Sequence, residues 1–117
     1  MGITEIEGTV TGPGGKRVAV IFLVDSGATF TVLPQKVWRE IELVPADAIT
    51  LCLADGTHIE RKMSECWIEI PQGARSTPVI LGENGDQALL GAVTLEELRL
   101  VLNPLTRQLQ PVRAMLA

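Results

Sequence analysis

A chain of 117 residues, nearly half of them apolar, is long enough to bury a core without disulfides or metal and is expected to form one domain over 1–117. A net charge of −4 with no Lys/Arg block argues against nucleic acid or an anionic membrane as the main partner. Two cysteines and one histidine make neither a disulfide framework nor an evident metal site, so no cofactor or metal is expected. Cys52 and Cys66 read as reduced and buried, and His58 as a surface loop residue. Met1 to Glu5 has no basic n-region, and the longest apolar run, Val18 to Val24, is far too short to span a bilayer, so a soluble, cytoplasmic protein is expected.

In chain order, Glu5 to Val10 and Arg17 to Val24 flank the turn-forming run Thr11 to Gly15 and read as a β-hairpin. Ala19 to Val24 is uninterruptedly apolar, which suggests a strand covered on both faces and ending on Asp25. Phe30 to Leu33 reads as a short strand. Pro34 suits the first turn of a helix whose apolar face is Val37, Trp38 and Ile41, with Pro45 barring continuation beyond Val44. Trp38 at that spacing reads as a core anchor. Ile49 to Leu53 and Thr57 to Met63 surround Asp55-Gly56, a strong hairpin signal. Cys66 to Ile70 alternates as a half-buried strand, Thr77 to Leu81 is another, and Gln87 to Leu90 a third, ending at Gly91. Thr94 and Glu97 have the spacing of a capping box opening a short helix. Leu100 to Leu102 returns to strand, Pro104 to Arg107 turns, and Val112 to Ala117 is an apolar tail. Short, frequent strands of this kind predict an all-β, barrel-like domain with one or two short helices.

The chemistry-bearing stretch is Asp25-Ser26-Gly27-Ala28-Thr29. A carboxylate at the mouth of an apolar strand is partly desolvated, which favours sharing a proton with a second carboxylate. Asp, Ser and Gly are also common turn formers, so this stretch taken alone reads first as an ordinary strand-ending turn.

In context, Asp25 to Thr29 resembles the active-site signature of aspartic proteases, and the preceding apolar run with Ala28 is most similar to the retroviral-type, single-lobed branch. Leu89-Leu90-Gly91 ahead of a short helix, and a hairpin tip at Ala54-Asp55-Gly56-Thr57, match two further features of that family in order. The resemblance runs from about Val18 to about Gln110. It implies a closed, barrel-like retropepsin-type fold with a flap hairpin, and no cofactor. Asp25 would be the catalytic residue and Ser26 would bond across the dimer axis. Gly27 would contact substrate backbone, and Leu89 to Gly91 would support the loop. The chain departs from the viral enzymes in a charged, less glycine-rich hairpin tip, in Ser26 where they usually have Thr, and in the helical Pro34 to Ile41.

Only one Asp-hydroxyl-Gly sequence occurs; Asp47, Asp55 and Asp86 lack the preceding apolar strand and the following pair. The resemblance therefore implies a homodimer with Asp25 facing Asp25, hydrolysing an extended polypeptide, with Glu5, Glu7 and the tail Val112 to Ala117 as candidate interface segments. The competing reading is a catalytically silent peptide-binding or dimerisation module with the same fold.

Overall fold

The computed structural model describes residues 4–112. Its first hairpin pairs β1 (Glu5–Thr11) with β2 (Arg17–Val24), Glu5 opposite Leu23 and Thr11 opposite Arg17. The loop between them closes with the Gly12 N–H donating to the Lys16 carbonyl at 2.9 Å. Gly15 sits at φ +91°, a left-handed conformation that costs glycine nothing. Next come β3 (Thr31–Leu33), helix α1 (Gln35–Glu40), β4 (Asp47–Cys52), β5 (His58–Ile70), β6 (Gly73–Leu81) and β7 (Leu89–Leu90). Helix α2 (Ala92–Glu97) precedes a second hairpin, β8 (Leu100–Asn103) with β9 (Gln108–Pro111).

The protein is thus mostly β with two short helices. Seven strands hydrogen-bond in the order β1-β2-β7-β3-β6-β5-β4, and β1 also pairs with β5 through Thr9–Thr11 and Trp67–Glu69. The pairings from β1 round to β5 therefore return on themselves, leaving β4 attached only to β5. The core that this arrangement encloses is aliphatic around one aromatic, with Val10, Phe22, Leu33, Ile68, Val79 and Leu90 fully buried. At about 25 cal/mol per Å² of apolar area, each such side chain contributes about 1.5–3 kcal/mol.

Several expectations need correcting. β2 is covered on one face only: Val20, Phe22 and Val24 enter the core, whereas Ala19 and Ile21 are exposed, Ile21 at 60%. The apolar run lacked the polar alternation that would have revealed this. Strands expected separately at Thr57 to Met63 and Cys66 to Ile70 are one strand, β5, since Ser64 and Glu65 pair with Val79 and Pro78 of β6 without a break. Cys66 is buried, and desolvation, helped by the neighbouring Glu65, pushes its thiol up to about 12; Cys52 is exposed at the end of the edge strand β4. His58 is exposed, but begins β5 instead of lying in a loop. Trp38 packs against the core and its indole N–H donates to the Gly82 carbonyl at 2.8 Å.

The capping box does not form. α2 begins at Ala92 with Gly91 at its N-cap and no side-chain cap. Thr94 lies inside the helix, fully buried, and its hydroxyl is taken by Thr31 of β3 at 2.6 Å and Thr77 of β6 at 2.9 Å. Two tertiary partners in a dry site outweigh one helix-terminal N–H that water can satisfy.

Candidate active site

Asp25 is held by the strand it follows. The Leu23 N–H donates to the Ala88 carbonyl at 2.9 Å and the Asp25 N–H to the Leu90 carbonyl at 3.0 Å, so the end of β2 is fastened to β7 in parallel register. Beyond it the chain turns: the Asp25 carbonyl accepts from the Ala28 N–H at 3.1 Å, and Oδ1 accepts from the Gly27 N–H at 3.0 Å. The half-buried carboxylate thus has one oxygen oriented by its own turn. Ser26, Gly27 and Thr29 are exposed beside it and Ala28 is half-buried.

Leu89, Leu90 and Gly91 lie directly against this loop. A Cβ on Gly91 would come within 2.5 Å of the Phe30 carbonyl carbon, so no side chain fits without moving the backbone. The Gly91 N–H donates to the Thr31 hydroxyl at 3.0 Å. The Ala28 and Thr29 carbonyls accept from the N–H groups of Ala92 and Val93 at 2.8 and 2.9 Å, using donors that the first turn of a helix leaves free. One buried hydroxyl cluster, Thr31, Thr77 and Thr94, therefore ties β3, β6 and α2 together beneath the turn carrying Asp25.

The face of the sheet turned away from the core forms a groove. Leu23 is opposite Leu89, Leu89 opposite Val32, Val32 opposite Ile80 and Ile80 opposite Met63, and residues in register point to the same side. Met63 and Ile80 are buried yet stand outside the core cluster, as this placement requires. Asp25 follows Leu23 by two residues, so strand alternation places it on that side too. The β4–β5 hairpin covers the far end of the row, where Leu51 and Ile59 help enclose about 200 Å³ above Val32, Ile80 and Leu89. Arg61, Asp86 and Gln87 complete the lining.

At the hairpin tip the Leu53 N–H donates to the Thr57 carbonyl at 2.8 Å and the Gly56 N–H to the Leu53 carbonyl at 2.9 Å, with Gly56 at φ +89°. Asp55 Oδ1 accepts from the Thr57 hydroxyl at 2.6 Å and the Thr57 N–H at 2.9 Å, and these two bonds hold its carboxyl below the usual aspartate value. Ala54, Asp55, Gly56 and Thr57 are all exposed. The structure thus brings Asp25 to Thr29 together with Leu89 to Gly91 and leaves the hairpin tip apart. Among the described residues, none hydrogen-bonds the tip to the Asp25 turn, and no second carboxylate is bonded to Asp25. Sequence reasoning missed the threonine cluster, Arg61 and Asp86; the only signal for the first was three threonines at otherwise apolar, core-facing positions.

No family model matches the chain, and no curated protein matches it in sequence. Its fold is similar to the solution structure of the Simian Foamy Virus (mac) protease, with a TM-score of 0.56 at 18% identity, over 80% of this chain and 93% of that one. This likeness establishes a retropepsin-like fold.

Proposed function

We propose that this chain is one half of a homodimeric aspartic endopeptidase, a closed, barrel-like retropepsin-type domain in which the β4–β5 hairpin serves as the flap. The observation that carries the reading is Asp25 at the end of β2, its carboxylate oriented by the Gly27 N–H, opening onto the groove side of a viral-protease-like fold. One chain supplies one such carboxylate, so the pair comes from two copies related by a two-fold axis. Two carboxyl groups about 3 Å apart cannot both ionise and share a proton. The ionised Asp25 draws a proton from water, and the protonated one donates a hydrogen bond to the scissile carbonyl, where negative charge develops. The exposed Ser26 and Gly27 lie where the second copy and the substrate backbone would meet the turn. Glu5 and Glu7, exposed on β1, and Val112, exposed after β9, remain candidate interface positions; 113–117 lie outside the described residues.

The test is cleavage of an unfolded protein at mildly acid pH, with and without a statine-type inhibitor. Asp25→Asn preserves volume and removes the base, so activity falls at least about a hundredfold with the fold intact. Specific activity rises with concentration through the dimer Kd, and excess Asp25→Asn chain poisons the wild type. A protein that dimerises and binds peptide but cuts nothing under these conditions is the silent module instead.

A further inference from the structure

Along the groove side of β5 the alternating residues are Ile59, Arg61 and Met63, so an arginine stands in an otherwise apolar row. Its side chain is only 23% exposed, and its guanidinium donates to Glu83 Oε1 at 2.9 Å and to the Glu60 carbonyl at 3.1 Å. Those bonds use two of its five N–H donors. The same cavity is lined by the half-buried Asp86, whose Oδ2 accepts from the Glu83 N–H at 2.7 Å; among the described residues Oδ1 has no partner. The Asp86 N–H returns a bond to the Glu83 carbonyl at 3.2 Å, so the loop holding both acids is closed on itself. Arg61 and Asp86 are therefore set in place before any ligand arrives, on two different elements and with opposite hydrogen-bonding character.

We propose that Arg61 and Asp86 set the side-chain specificity of this groove, and that the residue it takes from an extended polypeptide is glutamine. The proposal rests on the endopeptidase reading and deepens it. A cavity of about 200 Å³ is smaller than sites for drug-sized molecules and holds one side chain. Leu51, Ile59, Val32 and Leu89 offer an apolar sleeve to a methylene stem. At its polar end a carboxamide presents what the two ionic groups lack: its oxygen accepts from Arg61, and its N–H₂ donates to Asp86. Glutamate would meet Arg61 favourably but set a second carboxylate beside Asp86 and Glu83. Lysine would meet Asp86 but face the guanidinium. Leucine would fill the sleeve while stripping water from both ionic groups and returning no bond, which disfavours it by about tenfold or more.

The experiment uses four peptides differing only at one position, bearing glutamine, glutamate, lysine or leucine there, and scans that position across the cleaved segment. Hydrolysis by the wild-type dimer is followed by mass spectrometry. Binding of the same peptides to Asp25→Asn protein is followed by fluorescence anisotropy, so the groove is tested whether or not any peptide is cut. Glutamine is preferred about tenfold or more over the other three at one position, in both measurements. Arg61→Leu reverses the glutamine-to-leucine ratio, and Asp86→Asn raises glutamate relative to glutamine. Glu83→Ala, which removes the ion pair but neither groove group, keeps the glutamine preference; if it abolishes that preference as Arg61→Leu does, Arg61 is a structural tether and the proposal falls. Cleavage or binding with no preference for glutamine at any position also overturns it and leaves the endopeptidase reading standing. Selective binding of glutamine peptides without hydrolysis overturns the endopeptidase reading and leaves the groove assignment standing.

Discussion

Replacing Thr94 by valine keeps the shape of a fully buried side chain and exchanges its hydroxyl for a methyl group. The hydroxyl makes two buried bonds, to Thr31 at 2.6 Å and Thr77 at 2.9 Å. At about 1 kcal/mol net for each, their loss costs about 2 kcal/mol. Thr31 retains the Gly91 N–H, but Thr77 has no other side-chain bond among the described residues, and stranding a buried hydroxyl adds about 1 kcal/mol. The expected loss is about 3 kcal/mol, a large part of the stability of a domain this size, and a Tm lower by about 10 °C. Urea unfolding followed by circular dichroism measures it, with an unchanged m-value showing that the change lies in stability. The double variant Thr77→Val/Thr94→Val sharpens the test: once Thr94 is gone, removing the Thr77 hydroxyl removes a stranded group, so the double variant is no worse than Thr94→Val alone. A loss below about 0.5 kcal/mol, the range of ordinary surface substitutions, or strictly additive effects, would refute the cluster as the fastening beneath the Asp25 turn.

Gly91→Ala places a Cβ against the Phe30 backbone, so both stability and any hydrolytic activity fall; a crystal structure of the variant with an unmoved Phe30 carbonyl would contradict this. Folded protein at pH 8 reacts with a thiol reagent at the exposed Cys52 and not at Cys66, whose thiol stays protonated up to about 12; two fast equivalents would show that the core admits the reagent. Because the folded-state pKa of Cys66 is raised, its contribution to stability is complete at neutral pH and is lost as pH climbs from the ordinary thiol value toward about 12. Asp55 is the opposite case: its folded-state pKa is depressed, so the order it gives the hairpin tip is present above the ordinary aspartate value and is lost only as pH falls through the lower folded one. The Thr57 amide resonance should report that transition, and a midpoint at or above the ordinary aspartate value would remove the Asp55 bonds from the account.

Much of the fold was legible because its punctuation is local. Gly12 to Gly15, Pro34, Asp55-Gly56 and Asn103-Pro104 each impose or forbid a backbone conformation by themselves, and all four mark element boundaries. The Asp25 turn and Gly91 were legible as a resemblance, and the structure sets them side by side. What could not be read depends on residues distant in sequence. Thr94 satisfies the spacing of a capping box, yet its partners lie 63 and 17 residues away. Ile59 to Met63 reads as an ordinary charged hairpin arm until the pairing of Met63 with Ile80 shows that the side carrying Arg61 faces the groove. Cys52 looked like a core residue by type, and only its place on a strand with a single neighbour exposes it.

That single neighbour has a mechanical consequence. β5 is pinned between β1 and β6 over its second half, but its pairing with β6 begins only at Lys62, opposite Leu81. From Arg61 to the tip, β5 and β4 form a ribbon of two strands with no third beside them, rooted like a cantilever in a clamped base. A two-stranded ribbon is marginal on its own, so bending it disturbs few contacts, whereas moving its root would disturb the core. Deflection of the arm is thus decoupled from the stability of the sheet that carries the core, and Arg61 stands at the position where stiffness changes.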